Sequence, residues 1–182
     1  MTPVENLINW VAVQHHGQLI KRTLEPYFNH VLTVANLAKT AVTLGFEIGL
    51  CHDLLEDTDI TAEELPVRLI TFGYTETEAN TIALAVVELT DVFTREAYPD
   101  LKKKERKEKE QARLFLISPA AQTVKCCDLI YNIKWMLRYD RKHAKKYLQK
   151  KQILVTSLTG ADPALRQQTL DLIQIGLSDV KS

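Results

Sequence analysis

The residues in this chain best placed to do chemistry stand in the run Cys51-His52-Asp53-Leu54-Leu55-Glu56-Asp57-Thr58. An imidazole and a carboxylate lie side by side, with two further acids about one helical turn on. They sit in an otherwise apolar stretch of Phe46, Ile48, Leu50, Leu54 and Leu55. Burying charge costs several kcal/mol unless it is paired or holds a metal, so this cluster points to a cation. Partners occur elsewhere. His30 heads the periodic apolar segment Leu32, Val34, Ala35, Leu37, Ala38 and Val42, and Asp128 interrupts the mostly apolar stretch 124–132. His30, His52, Asp53 and Asp128 together offer two nitrogen and two oxygen ligands. That set suits a divalent Mn, Fe, Co or Ni ion better than a thiolate-bound structural zinc. Glu56 lies three residues after Asp53 and four after His52, so it shares their face while the helix lasts and can orient a water or take its proton. Asp57 either assists there or, with Thr58 and Asp59, caps the helix that follows Thr61.

The elements that must position these groups read as helices throughout. Thr61 with Glu64 and Thr75 with Glu78 fit the capping-box spacing, and Ser118-Pro119 and Asp162-Pro163 each place a cap residue before a proline at the first helical position. Strand-like alternation is missing. The pattern predicts helices near 4–19, 27–44, 46–56, 61–70, 76–90, 103–117, 119–138, 141–158 and 163–177, with turns at Gly45, Gly73 and Gly160. The fold class expected is all-α, a single compact helical bundle over residues 1–182. At 46% hydrophobic the chain can bury one core.

Formal net charge is zero, which leaves no global field to draw in nucleic acid or an anionic membrane. No apolar run approaches the ~20 residues needed to cross a bilayer. Residues 1–14 are amphipathic and carry Glu5, unlike a secretory leader. Three cysteines, two of them the neighbours Cys126 and Cys127, point to a reduced, cytoplasmic setting. The Lys/Glu run 102–110 reads first as a solvated helix face, and second as a basic lid over a phosphate site. Arg113, where apolar residues return, is a candidate to point inward. Trp10, Trp135, Met136 and Phe115 fall at core positions, while His15 and His143 read as surface residues and His16 as a helix-end histidine or a group near the substrate's base.

The order His30, His52-Asp53, Asp128 resembles the HD-domain metal-dependent phosphohydrolases. His16-Gly17-Gln18, Glu25-Pro26-Tyr27 with His30, Val34-Ala35, His52-Asp53 through Thr58, Glu64-Leu65, Phe72-Gly73, Leu89-Thr90 and Lys125 through Asn132 resemble, in order, the hydrolase domain of RelA/SpoT-type alarmone enzymes. The small stand-alone members, those of animals among them, are nearest in size. The resemblance runs over about 11–138, with the helices of 141–177 expected to pack on that domain. It implies a manganese-type phosphohydrolase that degrades guanosine 3′,5′-bis(diphosphate) by removing the 3′-pyrophosphate, with Glu56 and Asp57 assisting the attacking water. Lys21, Arg22, Lys125 and Asn132 are then the candidates for phosphate and sugar contacts. Other readings are a phosphatase acting on another phosphorylated nucleotide such as NADPH, and a non-catalytic nucleotide-sensing module. One departure bears on the substrate: Ile20 stands where the family carries an arginine against guanine, and Arg22 lies about 200° further round a helix, at about 100° per residue.

Overall fold

The computed structural model describes residues 1–180. Ten helices occur among them: α1 (Pro3–Gln14), α2 (Phe28–Ala38), α3 (Gly45–Cys51), α4 (Leu54–Asp57), α5 (Glu64–Phe72), α6 (Glu76–Leu89), α7 (Lys103–Leu114), α8 (Pro119–Tyr139), α9 (Arg141–Ser157) and α10 (Pro163–Asp179). No strand forms among the described residues; a lone antiparallel bridge joins Leu19 to Pro26. The protein is all-α, and the caps that announce the helices are in place. Thr75 accepts from the Glu78 N–H and Glu78 returns the bond to the Thr75 N–H. Thr61 and Glu64 exchange the same pair, and Ser118 and Asp162 cap α8 and α10 ahead of their prolines.

α8 is the axis of the structure. Along its 21 residues, side chains on nearly every face are buried, among them Val124, Cys126, Cys127, Leu129, Ile130 and Ile133. A helix apolar all round must be enclosed, and α2, α3, α6, α9 and α10 enclose this one. α2 and α3 also pack tightly against each other, because Gly49 lets the backbones meet. A Cβ at Gly49 would stand 2.8 Å from the Ala35 Cα and 2.9 Å from its nitrogen.

The helical pattern overran the helices in three places. The first helix ends at Gln14, since Gly17 takes φ 80° and Arg22 and Leu24 are also left-handed, folding 15–27 into a loop. That loop is closed by Ile20 N–H to Glu25 O (2.8 Å) and Tyr27 N–H to Gln18 O (2.9 Å). The second helix stops at Ala38, with Leu44 left-handed before α3. The span 46–56 splits at Asp53, which leaves the helical region at φ −101°, ψ 0°. Aspartate is a poor helix former, and its carboxylate is held by partners on other elements, so tertiary contacts decide its backbone.

Gly49→Ala is therefore expected to push α3 off α2 and destabilise the protein by about 1–3 kcal/mol, the usual cost of overpacking. Thermal and denaturant unfolding measure this; an unchanged midpoint would show that the two helices can part freely.

Candidate metal and active site

Three segments deliver the ionisable groups to one place. α2 presents His30 in its first turn, the α3–α4 junction presents His52 and Asp53, and the middle of α8 presents Asp128. The His30 Nε2 lies 3.3 Å from Asp53 Oδ2 and 3.5 Å from Asp128 Oδ1; the His52 Nε2 lies 3.0 Å and 3.9 Å from the same two oxygens. Both histidines and Asp128 are buried, at 3%, 3% and 6% exposure. The His52 Nδ1 is 2.8 Å from the Gly49 carbonyl, the partner that fixes the ring and leaves Nε2 facing the carboxylates. That Nε2 is buried without a hydrogen bond.

The donors fit a divalent cation. Ligands of one ion with bonds of about 2.1 Å stand roughly 3 to 3.5 Å apart; three of the four nitrogen-to-oxygen distances here fall in that range and the fourth, His52 to Asp128, is 3.9 Å, while one ligand atom each from His30, His52 and Asp53 falls within 4.8 Å of the others. The electrostatics agree. Burial lowers the His52 pKa, but Asp53 and Asp128 outweigh it and push the imidazole up to about 9. Burial raises both aspartates, yet His52 and His30 hold Asp53 well below the usual carboxylate range, and Lys125 with the histidines lowers Asp128. Two buried carboxylates whose surroundings favour the charged form make a place for positive charge.

Around this centre lies a second set of contacts. Tyr27 donates to Asp53 Oδ2 at 2.6 Å, Asn132 donates to Asp128 Oδ1 at 2.5 Å, and the Lys125 ammonium sits 3.0 Å from Asp128 Oδ2. Lys125 and Asn132 thus orient the carboxylate as well as face the cavity. Burial depresses the Lys125 pKa, but Asp128, Asp53 and Glu56 more than restore it, so the ammonium stays charged. The Tyr131 ring meets His30 edge-on at 4.5 Å.

A cavity of about 370 Å³ opens over the centre, walled by Ile20, Lys21, Tyr27, His30, Asp53, Glu56, Lys125, Asp128, Tyr131, Asn132, Trp135, Tyr147 and Lys151, among others. Glu56 opens into it from α4. Its Oε1 accepts the Asp91 N–H at 2.5 Å. The surrounding protein, with Asp91 and Asp53, raises its carboxyl to about 7, against the pull of that N–H and of Lys125. Asp57 does not cap α5, since Thr61 does. It faces Tyr27, and burial and Asp53 raise its pKa.

Two candidates lie elsewhere. Arg22 is absent from the cavity wall: its guanidinium bonds the Tyr139 carbonyl and pairs with Asp140 at 3.3 Å. Arg113 turns inward, but to close the end of α6 through the carbonyls of Glu88 (2.7 Å) and Thr90 (2.9 Å). The charged run forms the exposed helix α7. Other residues take roles that the sequence reading did not give them. Trp135 and Tyr131 wall the cavity, although Trp135 sits at a core-like position; the indole donates to the Lys21 carbonyl at 3.2 Å. His15 is buried, not a surface residue, its Nδ1 2.7 Å from Gln18 Oε1 and its ring 5.3 Å from Tyr27. Tyr147 and Lys151 arrive from α9, beyond the stretch that carries the motifs; their spacing of four on one helix was the available signal.

A helical core gathers His30, His52-Asp53 and Asp128 on three of its segments, in the order on which the sequence resemblance rests. No family model matches the chain. Relatives found by sequence are the guanosine-3′,5′-bis(diphosphate) 3′-pyrophosphohydrolases MESH1 of several vertebrates. The Mus musculus protein is 27% identical over 174 residues, 90% of this chain and 89% of that one. The Xenopus tropicalis protein is 29% identical over 167 residues (86% and 85%) and the Homo sapiens protein 28% over 167 residues (86% and 85%). A solved structure of a metazoan orthologue of SpoT, a protein that hydrolyses ppGpp and plays a role in starvation responses, superposes with a TM-score of 0.76 over 97% of both chains at 24% identity. The likeness thus covers more of the chain than the motifs do, 90% of it for the Mus musculus protein and 97% for the solved structure.

Purified protein is expected to carry about one divalent ion per chain, and Asp128→Ala to lose most of it. Elemental analysis decides: metal retained in full after Asp53→Ala and Asp128→Ala together would remove the assignment.

Proposed function

We propose that this protein is a divalent-metal-dependent phosphohydrolase that cleaves the 3′-pyrophosphate from guanosine 3′,5′-bis(diphosphate). The observation that carries the reading is the gathering of His30, His52, Asp53 and Asp128 within a few ångström of one another beside a polar cavity, with Glu56 on its wall keeping one oxygen free of the Asp91 N–H. The similarity to vertebrate proteins named for that activity supports the substrate. Manganese is the proposed ion, since two imidazoles and two carboxylates without thiolate suit it. Three buried, unbridged cysteines support a reducing, cytoplasmic setting, and no helix among the described residues is long and apolar enough to cross a membrane.

An ion held by the four ligands supplies Lewis acidity toward a phosphoryl oxygen and lowers the pKa of water. The chain's own residues do the rest. Glu56 Oε1 is fixed by the Asp91 N–H, which leaves its second oxygen to take a proton from the attacking water. A pKa near 7 suits that task, because a base is most effective when its pKa lies near the working pH. Asp57 acts through Tyr27, the residue that also holds Asp53. Lys21 offers its charge to the substrate at the mouth, and Asn132 and Lys125 keep Asp128 aimed. Tyr131 and Trp135 present aromatic faces on the same wall, where a base can stack.

Glu56→Gln removes the base with little change of shape. Turnover is expected to fall by about 10²-fold or more, with metal content and melting unchanged. In the wild type the rate should rise as pH passes upward through about 7, where Glu56 becomes charged, and the substitution should flatten that rise. A variant as fast as an active wild type would remove Glu56 as the base, and absence of turnover in the metal-loaded wild type itself would favour a non-catalytic nucleotide-sensing module instead.

Ile20 is buried in the cavity wall where a cation would have met guanine. Without that cation–π contact, of order 1 kcal/mol, guanosine and adenosine 3′-pyrophosphates should be turned over within about tenfold of each other. Ile20→Arg should lower the guanosine KM selectively. Brisk release of phosphate from NADPH without any 3′-pyrophosphate cleavage would transfer the assignment to a different nucleotide phosphatase.

A further inference from the structure

The cavity does not end at Glu56. A second hollow of about 390 Å³ adjoins it, sharing Glu56, Lys125, Tyr147 and Lys151 with the first and reaching α7. Lys107 of α7 and Lys150 of α9 stand on its far wall. Three acids, Glu56, Asp91 and Glu110, also line it. Glu110 is bound by Arg113 and by the N–H groups of Val92 (3.0 Å) and Phe93 (2.9 Å), and Glu56 takes the Asp91 N–H. Lys125 is answered by Asp128. Among the described residues, no carboxylate comes within ion-pair distance of Lys107, Lys150 or Lys151. Lys151 is half-buried, its ammonium 5.4 Å over the Tyr147 ring. The crowding shows in its acidity: burial and then Lys125 bring Lys151 down to about 8, and Lys107 is lowered by burial and by Lys150, Lys103 and Lys146.

The Asp91 carboxylate acts on Lys107 and Lys151, but four ammonium groups, those of Lys107, Lys125, Lys150 and Lys151, face three acids here; crowded ammonium groups repel, and each gains when an anion enters. Lysine binds phosphate as a compact point charge and needs no fixed fork geometry. The hollow shares Glu56, Lys125, Tyr147 and Lys151 with the candidate active site, so the two lie within reach of one extended molecule. We propose that Lys107, Lys150 and Lys151 form a second anion subsite, which takes the phosphate group at the end of the substrate remote from the bond cleaved. This rests on the reading of the first cavity as the seat of a phosphorylated nucleotide. It assigns a specificity: substrates with phosphates on both sides of the sugar are held at both ends, and those with one are not.

The test uses full-length, metal-loaded protein and two substrates that differ only in the 5′ group, guanosine 3′,5′-bis(diphosphate) and guanosine 3′-diphosphate with a free 5′-hydroxyl. Lys107→Met and Lys150→Met lie on the outer wall and leave the inner cavity intact. Each is expected to raise the KM for the doubly phosphorylated substrate about fivefold, the scale of one exposed charge contact, while the KM for the 5′-hydroxyl substrate holds. Unchanged KM values for both, or equal rises for both, overturn the subsite. Calorimetric binding of guanosine 5′-diphosphate gives a readout free of turnover, and both variants should weaken it by a similar factor. If the wild type cleaves neither substrate yet that binding still weakens in the variants, the subsite stands and the proposed reaction falls. Binding indifferent to both substitutions overturns the subsite whatever the hydrolysis assay gives.

Discussion

Two carboxylates, Asp53 and Asp128, are held inside a helical core within reach of two histidines and a lysine. An uncompensated buried charge costs several kcal/mol, so this pair obliges the fold to bring positive charge or proton donors from every side. Tyr27 comes from the loop before α2, His30 from α2, His52 from the end of α3, and Lys125 and Asn132 from one turn either side of Asp128 on α8. The close crossing of α2 and α3 at Gly49 is what makes the meeting of His30 and His52 possible, and the carbonyl of Gly49 itself holds the His52 ring. Packing and electrostatics are here one constraint.

The same constraint explains why the chain restarts at Asp53. A continuous helix through 46–56 would keep Glu56 under His52 as a fixed neighbour. The break at φ −101°, ψ 0° frees α4 to present Glu56 to the cavity and Asp57 to Tyr27. The two acids of the motif consequently meet different surroundings. Glu56 feels the protein, Asp91 and Asp53, whereas Asp57 has a phenol to share the load.

The all-α class was legible because helix signals are local: period, caps and prolines are written within a few residues of where they act. The segments carrying His30, His52-Asp53 and Asp128 could be found for the same reason, since each is an ionisable group in an apolar run. What escaped depends on distant partners. Nothing near Arg22 in sequence tells that its guanidinium ends on Tyr139 and Asp140. Trp135 has the spacing of a core residue, and only the loop 15–27 folding beneath it turns that position into a cavity wall. Lys151 sits among other lysines of α9, where one more positive charge looks like solvation.

The hold on Glu56 extends beyond its own helix. One of its oxygens is tied to the backbone of Asp91, and the residues that follow, Val92 and Phe93, are tied by their N–H groups to Glu110 of α7. Glu110 is in turn clamped by Arg113, whose other hydrogen bonds seal the end of α6. The acid over the candidate metal site is thus the last link of a tether that starts on an exposed, highly charged helix. The position of α7 and the aim of Glu56 are therefore set by one continuous run of hydrogen bonds.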